Sequence, residues 1–190
     1  MNRRRIATLM TLITLTALPF TQAANAGWDP REDSGTSKSH TGNRSVDEAI
    51  TNLKKKDPGI KIFFNKAYGY AIFPTVGKAG IGLGGAYGEG EVYRQGHYLG
   101  TSSLSQITIG FQLGGQAYTE IIFFKDKRAL NDFTSGNFEF NAQASAVAVT
   151  AGASADADYD NGVAIFTMPK GGLMYEATVG GQKFSFTPAR

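Results

Sequence analysis

Gln106-Ile107-Thr108-Ile109-Gly110-Phe111-Gln112-Leu113 decides the fold class. Ile107, Ile109, Phe111 and Leu113 alternate with Gln106, Thr108 and Gln112, the period of two that marks a half-buried strand. Upstream, Ala79-Gly80-Ile81-Gly82-Leu83-Gly84 has the same period, with Gly80, Gly82 and Gly84 on one face. Glycine weakens a strand by its backbone entropy, so such a stripe predicts another backbone or ring lying against that face. Tyr70–Pro74 reads as a short strand, and Tyr118–Phe124 as another that ends in the buried-type run Ile121-Ile122-Phe123-Phe124. Phe138–Val149 alternates again and is rich in alanine, which predicts close packing there. Val163–Met168 and Leu173–Val179 flank Pro169-Lys170-Gly171-Gly172, a hairpin turn signal, and Gly180-Gly181 turns the chain into Lys183–Phe186.

Helical spacing is confined to two places. Val46, Ala49, Ile50 and Leu53 recur at the helical period behind a capping box, Ser45 with Glu48, and Asp57-Pro58-Gly59 stops that helix. Ile60, Phe63 and Phe64 share one side of a second short turn through Lys66. Between the strands, Asp126 can cap a helix whose apolar face is Ala129, Leu130 and Phe133, with Gly136 as its stop. The predicted class is therefore mainly β, α+β: an antiparallel, glycine-rich meander or barrel-like sheet with an amino-terminal helical element and one short helix midway.

The amino terminus reads as an export signal. Arg3, Arg4 and Arg5 precede an uncharged run from Ile6 to Phe20, and Ala24-Asn25-Ala26 supplies a small-x-small cleavage pattern. Residues 1–26 are thus expected to be a signal peptide, 27–44 a disordered polar leader, and 45–190 one folded domain. The 19 basic and 16 acidic residues of the whole chain become 16 of each once the three arginines leave. The basic balance belongs to the precursor and gives no ground for nucleic-acid binding. With no cysteine, neither a disulfide framework nor a cysteine nucleophile is available.

Catalytic chemistry finds little support. His40 falls in the leader, and His97, within Gly96-His97-Tyr98, reads as a turn or strand-edge residue. Gly80-Ile81-Gly82-Leu83-Gly84-Gly85 matches a dinucleotide fingerprint in spacing but lacks the helix that must follow it. Asp156, Asp158 and Asp160, ahead of Asn161-Gly162, are a weak calcium candidate because alternate carboxylates can converge on a hard cation. The simpler reading is a solvated hairpin loop ending in an Asn-Gly turn. No enzyme activity, cofactor or metal is expected.

Lys54, Lys55, Lys56, Lys61 and Lys66 concentrate positive charge opposed locally by Asp57 alone, beside Phe63 and Phe64. A basic segment with an apolar side suits an anionic bilayer surface. A core-packed helix with a solvated lysine face is the alternative for the same residues.

The order of these motifs resembles the SYLF lipid-binding domain family, over about Ser45 to Phe186. The likeness is carried by Ala67-Tyr68-Gly69-Tyr70-Ala71-Ile72-Phe73-Pro74, by Lys78–Gly85, and most specifically by Ile109-Gly110-Phe111-Gln112-Leu113-Gly114-Gly115-Gln116. Ile121–Phe124, Ala129–Phe133, Phe138-Glu139-Phe140, Lys170–Leu173 and Gly180-Gly181 follow in order. Asn141-Ala142-Gln143-Ala144 and Met174-Tyr175-Glu176-Ala177 depart from the family's usual residues. The resemblance implies a non-catalytic domain that binds anionic phospholipid or a membrane surface. An exported protein would meet no cytoplasmic actin, the partner of the eukaryotic adaptors. A periplasmic or secreted location follows from the signal, and a structural or protein-interaction role with an envelope partner is the alternative function.

Overall fold

A computed structural model describes residues 43–135, 138–140 and 146–190. Expectations for the signal peptide, most of the leader, His40, Gly136 and residues 141–145 fall outside them. The chain runs through helix α1 (Arg44–Lys56), a 3-10 turn (Pro58–Ile60), helix α2 (Lys61–Lys66), strands β1 (Gly69–Arg94) and β2 (His97–Phe124), helix α3 (Lys127–Thr134), short strands β3 (Phe138–Phe140) and β4 (Val147–Ala148), and strand β5 (Val163–Pro188). The sheet order is β1-β2-β5-β3, with β4 beside β5. Pairing is antiparallel except for the parallel β4–β5 contact. The sheet is open, not a closed barrel.

The expected meander of short strands resolves into three very long ones. Pro169-Lys170-Gly171-Gly172 does not make a hairpin. Ala117 pairs with Gly171 and Tyr118 with Pro169, so Lys170 is an extra residue bulged out of a continuous strand. Gly180 and Gly181 likewise pair straight across with Thr108 and Ile107. Pro74 sits at another irregularity, between Phe73 and Val76 of edge strand β1, where a missing N–H breaks no ladder. The turn between β1 and β2 is Gln95-Gly96, both at positive φ, the geometry whose twist suits a two-residue hairpin. His97 therefore lies at a strand end, paired with Arg94.

These long strands bend. A Cβ built on Gly90 would lie 2.3 Å from the Ile72 carbonyl oxygen, and one on Gly88 2.8 Å from Val76 Cγ2. Tyr70 and Tyr93 stack with ring centroids 5.0 Å apart. The two halves of β1 thus lie against each other, and the sheet folds back around the stretch near residues 77–86. Of the glycines expected to meet another backbone, Gly82 has nothing within 4 Å of a Cβ built on it, and the tight approaches are found at Gly88 and Gly90.

Folding the sheet gives it two apolar layers. Inside the fold, Phe73, Val76, Ile122, Phe124 and Phe184 pack with Leu130 and Phe133 of α3. On the opposite face, Ile72, Ile121, Phe123 and Phe166 pack against Val46, Leu53, Ile60 and Phe63 of the helical element. The pleat sends successive residues to opposite layers, so Ile121–Phe124 is a continuous apolar run because both faces there are covered.

Both helical predictions hold, with a shift at the first cap. The Asn43 side chain, not Ser45, caps α1: its Oδ1 accepts from the Ser45 amide at 3.3 Å and the Ser45 hydroxyl at 2.8 Å. The α3 cap is as read, Asp126 Oδ1 accepting from the Ala129 amide at 2.9 Å.

Candidate membrane-facing site

The basic segment is built on a carboxylate. Asp57 ends α1, its amide donating to the Leu53 carbonyl at 2.9 Å. Its side chain is almost fully buried. Oδ1 accepts from the Gly59 amide at 3.0 Å, and Oδ2 from the Ser154 amide at 2.7 Å. Burial pushes its pKa up, but the hydrogen bonds from Ser154, Gly59 and Gly152 outweigh it and hold the carboxyl below its ordinary value. The acid nearest the lysines is thus committed to two backbone amides, one of them 97 residues away. Asp57→Ala strands those buried amides, and a loss of about 2 kcal/mol is expected in urea unfolding.

Around this anchor, Lys55, Lys56, Lys61 and Lys66 are exposed and Lys54 is half-buried. Lys54 Nζ stands 4.3 Å from the centroid of the Phe64 ring, a cation–π contact that fixes this ammonium against the fold. Phe63 is buried, with ring centroids 4.9 Å from Phe166 and 5.5 Å from Phe123. Phe64 meets Phe123 at 4.9 Å and Tyr70 at 5.3 Å. Most of the apolar side of the segment is therefore spent on the core, and Ile62 is its exposed large apolar residue.

One feature of this region had no signal in the local sequence. Lys66 and Lys125 line the same open cleft of about 490 Å³, with Asn65 and Gln95 as further polar groups and Phe64, Ala67 and Tyr68 as the remaining wall. Two backbone bonds bring Lys125 there: the Tyr68 amide to the Phe124 carbonyl, and the Lys125 amide to the Gly162 carbonyl, each 2.9 Å. Two ammonium groups and two amide side chains in one cleft can take a phosphate-sized anion.

Asp156, Asp158 and Asp160 are not drawn together: among the described residues, no group of three or more His, Asp or Glu is placed to hold a metal ion. Asp160 pairs through its backbone with Val163, and Asn161 and Gly162 take positive φ, an Asn-Gly turn of the primed kind. A different carboxylate stands out. Glu120 is fully buried inside the folded sheet. Its Oε2 accepts from Gln182 Nε2 at 2.9 Å and its Oε1 has no partner. Burial pushes its pKa up to about 7, and the Gln182 bond only partly opposes this.

Residues 105–188 match the family model described as Las17-binding protein actin regulator, Ysc84. Over 143 residues the chain is 29% identical to Beta cell expansion factor A of Aeromonas veronii. That match covers 75% of this chain and 54% of the relative, so the chain spans about half the relative's length.

Proposed function

Residues 105–188 belong to the Ysc84 (SYLF) family, whose general association is with lipid binding, and from that premise we propose that this is a non-catalytic domain of an exported, periplasmic protein that binds anionic phospholipid at a membrane surface. The observation that carries the reading is the disposition of charge in the helical element. Four lysines are exposed while Asp57, the one acid among them, is buried against backbone amides. The cleft shared by Lys66 and Lys125 gives a headgroup phosphate a place to sit. The actin-regulator description belongs to the family as it is named; an exported chain, as proposed, would not meet cytoplasmic actin.

Each lysine near an anionic surface contributes about 1 kcal/mol, so reversing three lowers partitioning roughly 100-fold or more. The variant Lys55→Glu/Lys56→Glu/Lys66→Glu leaves Lys54 on its ring and removes exposed charge only. Native protein is expected to float with vesicles containing phosphatidylglycerol at low salt, to release as salt rises, and to lose flotation in the variant. Flotation that ignores both changes would refute the electrostatic mechanism. Salt-resistant capture of one envelope protein, with no flotation, would favour the protein-interaction alternative.

A further inference from the structure

The alternation in β2 places its apolar residues on the face opposite to the one expected. Thr108 is 1% exposed, whereas Ile107 and Ile109 are 72% and 69% exposed. Leu104 and Thr108 point into the fold, so Ile107 and Ile109, which alternate with Thr108, point out. Across the ladder, Leu83 pairs with Ile109 and Ile81 with Leu113. Ile81, Leu83 and Leu113 are exposed too, between 52% and 80%. Five large aliphatic side chains therefore stand together on the bend of the folded sheet, outside both core layers.

The surroundings of this patch are as selective as its contents. No charged residue occurs from Ala79 to Gly88 or from Thr101 to Thr119. On β5, the facing stretch 171–182 carries Glu176 alone, and lysines stand at both its borders, Lys170 and Lys183, each exposed. An uncharged, aliphatic surface of this kind in a water-facing position marks an interaction site.

We infer that this bend of the sheet, Ile81, Leu83, Ile107, Ile109 and Leu113, is a second membrane contact that enters the acyl region of an anionic bilayer while the lysine surface holds the headgroups. The inference rests on the lipid-surface reading for its partner and adds a depth and a place to it. Charge complementarity favours a bilayer over a second copy. Bordering lysines suit anionic headgroups around an inserted apolar tip, but would repel the same lysines of a copy docked face to face.

The chain has no cysteine, so a single probe site can be introduced cleanly. An environment-sensitive fluorophore on Ile109→Cys, with Thr101→Cys as the exposed reference on the same strand, is followed on adding phosphatidylglycerol–phosphatidylcholine vesicles. The expected result is a blue shift at position 109, quenched by a nitroxide in mid-acyl chain, and neither change at 101. Ile107→Ser/Ile109→Ser, which alters exposed side chains only, is expected to weaken partitioning roughly 10- to 100-fold with unchanged thermal unfolding. A protein that floats but shows no shift at 109 overturns the inference and leaves the lysine surface standing. Absence of flotation overturns both. A shift that grows with protein concentration in the absence of vesicles overturns it in favour of a second copy.

Discussion

Gly90→Ala is expected to destabilise the domain by about 3 kcal/mol or more, lowering the thermal midpoint by roughly 10 °C. The added methyl would sit 2.3 Å from the Ile72 carbonyl oxygen and 2.6 Å from the Phe73 ring. Neither neighbour is the loose end of a flexible side chain. Ile72 is held in the β1–β2 ladder opposite Ile121, and Phe73 is packed against Phe184 at 5.6 Å. Relief must come from separating the two halves of β1, which would open the inner core layer. Gly171→Ala is the matched control. It lies in β5 with nothing within 4 Å of its Cβ, so a change within about 0.5 kcal/mol is expected. Equal denaturation midpoints for the two variants would mean that the sheet does not close at Gly90.

That contrast also marks the boundary of what could be read in the residues. Helices were legible because their signals are local. Asp126 with Ala129, and the Val46–Leu53 spacing before Asp57-Pro58, each lie within one or two turns. The two-residue period of β2 was equally legible, and it identified which residues share a face. It could not identify which face is buried. Thr108 and Ile109 differ in hydropathy in the expected sense, yet Thr108 is inside because Leu104 and Phe184 line the fold on that side. Strand length was illegible for a related reason. Pro74, Pro169 and Gly180-Gly181 carry the composition of turns, but a proline at an edge or bulge and a glycine pair inside a continuous ladder are equally compatible with one long strand. Of the site, the lysine cluster was contiguous and visible, whereas Lys125 joins Lys66 only through tertiary pairing. Phe63 could serve either the apolar side of a membrane-facing segment or a core-packed helix, and no local signal decides between them. Three aromatic partners, Phe123, Tyr159 and Phe166, bury it.

Glu120 makes the domain lose stability on passing from acid to neutral pH, by on the order of 3 kcal/mol. An unfolded chain releases this proton near 4.5, the folded protein only near 7. Between those values the native state holds one more proton than the unfolded state, so stability falls as pH rises through that window and levels off above it. Asp57 acts in the opposite sense. Its folded pKa lies below 3.8, so its contribution is present above that value and is lost in stronger acid. The contributions of the two carboxylates together favour the acid side of neutrality. Urea midpoints of native protein are expected to decline from pH 5 to 7.5, and those of Glu120→Gln to stay level. The amide carries no titrating proton, and its carbonyl can still accept from Gln182. A native profile flat across that range would mean that Glu120 is ionised inside the fold, with its charge met by something other than Gln182. A native decline that survives in Glu120→Gln would move the titration to another group.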